Sequence, residues 1–141
     1  MSAKTLLIVE DDAIAREGLA VVLRNEGYTV VTATDGDEAL DHLAKGPLPD
    51  LILLDMMMPS PGTNGWRFLA KRNGIPALKT IPVVIVSGLD IGSHDWAVSL
   101  GAAGFIHKPY DLTFLFSEIR RYCGLPPTDL GSSPPSSPPT A

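Results

Sequence analysis

The residues with chemistry to offer stand in four places: the acidic run Glu10-Asp11-Asp12, then Asp55, Ser87 and Lys108. Each follows directly on a short apolar run. Thr5-Leu6-Leu7-Ile8-Val9 precedes the acids, Leu51-Ile52-Leu53-Leu54 precedes Asp55, Pro82-Val83-Val84-Ile85-Val86 precedes Ser87, and Phe105-Ile106-His107 precedes Lys108. Runs of this length bounded by turn formers predict strands covered on both faces of a parallel sheet. Parallel strands point the same way, so the residues past their carboxyl ends collect on one edge, where open α/β sheets bind ligands. That edge would gather the carboxylates of Glu10, Asp11 and Asp55, the Ser87 hydroxyl and the Lys108 ammonium. Carboxylates crowded together resist ionisation unless a cation is supplied. Mg2+ suits that role, because it takes oxygen ligands and is held by one or two carboxylates together with waters and phosphate oxygens. A metal and a phosphoryl group would then relieve each other's charge, with Lys108 and Ser87 donating to phosphoryl oxygens. For Asp55 by itself the plain alternative is a strand-closing turn cap, which its residue type favours.

Helices must connect these strands. Ala15, Leu19, Val22 and Leu23 recur at i, i+4, i+7 and i+8, the apolar stripe of a first helix that Gly27 stops. Residues 28–33 alternate loosely as a second strand. Asp35-Gly36 turns into a second helix that buries Ala39, Leu40 and Leu43 and ends at Gly46-Pro47. A loop rich in Pro and Gly leads to a third helix over 65–72, whose periodicity is weak. A short fourth helix falls within 93–100, and a turn over 101–104 opens the fifth strand. Asp111 is placed to cap a last helix carrying Leu112, Leu115, Phe116 and Ile119 on one face. Strand and helix alternating five times predict an α/β fold, a doubly wound five-stranded parallel sheet with five helices and right-handed crossovers.

Composition sets outer limits. The 141 residues are 45% hydrophobic and 19% charged, enough for one domain with its own core. A net charge of -5 without a Lys/Arg cluster disfavours direct nucleic-acid binding. No apolar run nears the roughly 18 residues of a membrane span, and residues 4–9 are too short for a signal peptide. The single Cys123 fits a reducing compartment and reads as a packing residue; the expected location is cytoplasmic. Residues 126–141 are dominated by Pro, Ser and Thr and predict a disordered tail behind a folded domain over 1–125. The functional alternatives for that tail are a ligand for a Pro-recognising module and the start of a linker. His42, His94 and His107 lie on separate elements without zinc spacing, and Trp66 and Trp96 open helices as packing residues. The Gly-rich loop of nucleotide-binding α/β proteins is missing from the sequence.

Taken in order, Glu10-Asp11, Asp55 four residues before Pro59, Ser87-Gly88, Phe105 and Lys108-Pro109 resemble the receiver domains of two-component response regulators. The resemblance covers residues 5–123. It implies a flavodoxin-like sheet ordered 2-1-3-4-5, which sets Asp11 next to Asp55, and a stand-alone regulator of the chemotaxis type. It further implies that Asp55 is the phosphoacceptor, taking a phosphoryl group from a phosphohistidine on a sensor histidine kinase or histidine phosphotransfer protein. Asp11 and Asp55 would bind Mg2+ through their side chains, Met57 through its backbone carbonyl, and Glu10 through water. The metal would neutralise and align the transferring group. Asp12 matches no functional position in the family and reads as the N-cap of the first helix. Ser87 would close on the phosphoryl group and Phe105 swing inward, altering the face of the fourth helix, fifth strand and fifth helix, where a downstream effector binds. Phe105 brings no hydroxyl to that position, and a buried core aromatic is the plain alternative for it.

Two departures from the family stand out. Gly65 lies six residues after Pro59 where the family has a Gly at four, so the loop above the site is longer. Met57 and Leu89, at positions that tune phosphoryl loss, are apolar and predict slow self-dephosphorylation; a gap-filling role is the alternative for the methionines. Three classes of function stay open: a phosphorylated signalling switch, a Mg2+-dependent aspartyl-phosphate hydrolase, and a receiver-like interaction module that takes no phosphate. The hydrolase reading is weakened because such enzymes carry a second acid two residues past the nucleophile, where this chain has Met57. The expectation is therefore a phosphoacceptor and not an enzyme.

Overall fold

Three aliphatic runs form β1, β3 and β4 and two mixed segments form β2 and β5, and the computed structural model describes them within residues 4–56, 64–88 and 93–123. In chain order the elements are β1 (Thr5–Val9), α1 (Ala13–Asn25), β2 (Thr29–Ala33), α2 (Gly36–Lys45), β3 (Leu51–Leu54), α3 (Gly65–Asn73), α4 (Pro76–Lys79), β4 (Val83–Ser87), α5 (His94–Ser99), β5 (Gly104–His107) and α6 (Leu112–Cys123). The expected tail over 126–141 lies outside the described residues, as do Met57, Pro59 and Leu89.

The strands are all parallel and ordered β2-β1-β3-β4-β5, a flavodoxin-like sheet. Side chains alternate between its faces. Leu7, Val9, Ile52, Leu54, Val83 and Ile85 pack under α2, α3, α4 and α5. Leu6, Ile8, Leu51, Leu53, Val84 and Ile106 pack under α1 and α6. All four β3 residues are buried, and each such side chain contributes about 1.5–3 kcal/mol of transfer free energy. Asp12, Asp35, Asn64 and Ser93 start their helices by accepting a backbone N–H three positions on, each cap stabilising by about 1 kcal/mol. Asp12 thus takes the capping role its position suggested.

A sixth helix, the single turn α4, adds to the five expected. Its start is set by Pro76 in the first turn, where a missing N–H costs nothing. Beneath it Arg72 is buried, its guanidinium donating to the carbonyls of Leu78, Lys79, Ile81 and Gly101 and to Asn73 Oδ1. Burial holds its pKa below the usual guanidinium value. Asn73 Nδ2 donates to Leu100 O at 3.0 Å, so the end of α3 is tied to the end of α5.

Candidate functional site

The register of β1 and β3 positions the acids. Val9 pairs with Leu54, and the Asp55 N–H donates to Val9 O at 3.0 Å. Glu10 is fixed from the other side, its N–H donating to Ala33 O at 3.0 Å. One carboxylate oxygen each from Glu10, Asp11 and Asp55 lie within 4.8 Å of one another. Among the described residues this is the group of acids, histidines and cysteine close enough to hold an ion. Glu10 and Asp55 are each 7% exposed, and Asp11 is half-buried. Hard oxygen donors at this spacing, open on the Asp11 side, fit Mg2+.

Lys108 reaches this cluster from β5. Its Nζ donates to Glu10 Oε1 at 3.0 Å and lies 3.7 Å from Asp55 Oδ2. Its N–H donates to Ser87 O at 2.9 Å, which joins the ends of β4 and β5, and the Lys108–Pro109 bond is cis. Burial works to lower the Lys108 pKa, but the Glu10 hydrogen bond and the fields of Asp55 and Glu10 outweigh it, and the pKa stands above its ordinary value. Burial likewise pushes the Tyr110 phenol up, against the pull of the Lys108 charge. The second Glu10 oxygen accepts the Asp12 N–H at 3.2 Å. Both Glu10 oxygens are therefore engaged by the protein. A cavity of about 30 Å3 lies beside Glu10, Asp55, Lys108 and Tyr110, room for a water.

Ser87 ends β4, fully buried and in register with His107. Phe105 is half-buried. Its ring stands edge-on to Trp96 at 5.9 Å and to His107 at 5.9 Å, and Trp96 in turn meets Trp66 at 6.2 Å. Trp96 packs against the core and on Phe105, the expected switch residue, while Trp66 is exposed and meets only Trp96 among these rings. Of the expected site residues, the structure brings Glu10, Asp11, Asp55 and Lys108 together and places Ser87 at the neighbouring strand end. Met57 and Leu89 lie outside the described residues.

The sequence reading took Gly65 only as a change in loop length and passed over Arg16. Gly65 sits so close to β3 that a Cβ there would meet Met56 Cα at 2.7 Å and Asp55 O at 3.1 Å; only a glycine lets α3 start against the strand end. Arg16 Nη1 donates to the carbonyls of Glu10 at 3.1 Å and Asp11 at 3.3 Å. Its spacing of five and six residues from the two acids was the available signal.

A doubly wound sheet with three acids and a lysine at its carboxyl edge defines an α/β module whose acidic pocket is suited to Mg2+ and phosphorylation. The response regulator receiver domain model matches residues 6–120, and the chain belongs to that family. Response regulator PleD of Caulobacter vibrioides is 40% identical over 121 residues, covering 85% of this chain and 26% of PleD. The chain spans half or less of the length of this and other curated relatives. The receiver domain of a signal transduction histidine kinase from Syntrophus aciditrophicus superposes with a TM-score of 0.76 at 31% identity, covering 95% of this chain and 98% of that one. The chemotaxis response regulator CheY4 of Vibrio cholerae gives a TM-score of 0.75 at 27% identity, covering 86% of this chain and 99% of that one. No helix among the described residues is long and apolar enough to cross a membrane.

Proposed function

We propose that the chain is a phosphorylation-dependent signalling switch of a two-component phosphorelay, with Asp55 as phosphoacceptor. The observation that carries this reading is the Lys108 ammonium, held at 3.0 Å from Glu10 and 3.7 Å from Asp55 at the rim of an acidic trio. An Asp55 carboxylate oxygen bonds to the phosphorus of a phosphohistidine as the P–N bond breaks, and the electron pair stays on the imidazole nitrogen. Asp11 and Asp55 would hold Mg2+, with Glu10 acting through water and the Met57 carbonyl as a further ligand. The bound metal supplies charge neutralisation and alignment. Lys108 is placed to give up part of its contact with Asp55 and donate to a phosphoryl oxygen, and Ser87 supplies a hydroxyl from the next strand end.

Closure of Ser87 and inward movement of Phe105 would alter the face of α5, β5 and α6, the fourth-helix, fifth-strand, fifth-helix surface anticipated from sequence. Val98, Leu112 and Phe114 are exposed on those helices, which supports their use by a downstream effector. The donor is a sensor histidine kinase or phosphotransfer protein, and the setting is cytoplasmic. Incubation with acetyl phosphate and Mg2+ followed by intact mass tests the reading. One phosphoryl group is expected on the native chain, none on Asp55→Ala, and little without metal. An unmodified native chain would leave an interaction module in its place.

A further inference from the structure

We propose that Arg16 is a positioning residue for the metal site, clamping the backbone of the Glu10-Asp11 turn so that both acids face Asp55. The inference rests on the reading of the acidic pocket as a Mg2+ site. Only three residues separate β1 from α1, and all three are acids. Their mutual repulsion drives this short turn toward conformations that splay the carboxylates apart. One Arg16 nitrogen opposes that by donating to two consecutive carbonyls, Glu10 O at 3.1 Å and Asp11 O at 3.3 Å. The side chain is 14% exposed, so these bonds are shielded from competing water. Arg16 is itself held within α1, where its N–H donates to Asp12 O at 2.9 Å, and its Nε lies 3.5 Å from Glu17 Oε2. The cap of Asp12 on the Ala15 N–H at 2.8 Å closes the same turn from the opposite end. The turn is thereby fixed to the helix that follows it.

Geometry and charge make opposite predictions for Arg16. A cation near the pocket opposes a second cation, so a role through charge alone means that removing Arg16 tightens Mg2+ binding. A clamp means that removal weakens it, in spite of the more negative site. Residues that orient metal ligands commonly change metal affinity by about 10–100-fold when replaced, and Arg16 acts on backbone and not on a carboxylate, which places the expectation near the lower end.

The test is a calorimetric Mg2+ titration, without phosphodonor, of the native chain, Arg16→Gln, Arg16→Lys and Asp11→Asn, each first checked for cooperative thermal unfolding in EDTA. Arg16→Gln is expected to weaken Mg2+ binding about ten-fold. Arg16→Lys keeps the charge but lacks the reach of the guanidinium, and is expected to weaken binding too, which separates position from charge. It carries the test if Arg16→Gln does not fold. Native or tighter affinity in a folded Arg16 variant overturns the proposal. A native chain that binds Mg2+ no better than Asp11→Asn overturns the metal reading along with it.

Discussion

Neutralising Asp11 should stabilise the metal-free protein and reverse that order when Mg2+ is present. Carboxylate oxygens of Glu10, Asp11 and Asp55 lie within 4.8 Å of one another, and two unit charges at that spacing repel by about 3.5 kcal/mol at an effective dielectric near 20. Asp11 takes part in two of the three pairs. Lys108 stands by Glu10 and Asp55, so its ammonium chiefly offsets the remaining pair. Half-exposure of Asp11 and salt screening leave a net gain of about 1–2 kcal/mol for Asp11→Asn in EDTA. With Mg2+ at a hundred times its dissociation constant the native chain gains about 2.7 kcal/mol by mass action, while the variant, short of a ligand, gains little. Urea denaturation of both proteins in EDTA and in saturating Mg2+ reads the two differences directly. A variant less stable than the native chain in EDTA, or equal stabilisation of both by Mg2+, would refute the reasoning.

Gly65→Ala should destabilise by about 1–3 kcal/mol in urea denaturation through overpacking, because the new Cβ meets Met56 Cα at 2.7 Å; unchanged stability would remove the close-approach argument. Stability should also fall at alkaline pH. The Lys108 pKa is raised on folding, so its contribution is complete below the unfolded value of about 10.4 and is lost as pH rises through the higher folded value. Tyr28, pushed up to about 12 chiefly by burial, acts in the same direction, because the unfolded phenol ionises first. Denaturation midpoints followed from pH 7 upward should therefore drop in Lys108→Met less than in the native chain. Replacing Met57 and Leu89 with polar residues should shorten the phosphoryl lifetime in a decay assay; an unchanged rate would defeat the expectation of slow self-dephosphorylation.

The strands were legible because a parallel sheet covered on both faces leaves uninterrupted aliphatic runs, and β3 is buried at every position. The site was legible for a related reason, since each polar residue of interest directly follows such a run. The adjacency of Asp11 and Asp55 was not local information. It depends on β1 lying between β2 and β3, which the family resemblance implied and no single segment encodes. The one-turn α4 was missed because four residues are too few to show a helical period. Arg16 and Arg72 were passed over because an arginine on a helix reads as solvated. Their acceptors are backbone carbonyls, which have no residue type to recognise, and one of them, Gly101, is 29 positions from Arg72. Gly65 registered as a change in loop length, while its physical reason is contact with Met56.

The chain contains two tryptophans, and they touch each other, with Trp96 also against Phe105. One of its two indoles, Trp96, consequently sits against the aromatic ring expected to move, and the other, Trp66, stands against Trp96. The molecule carries its own optical gauge, readable without any attached dye.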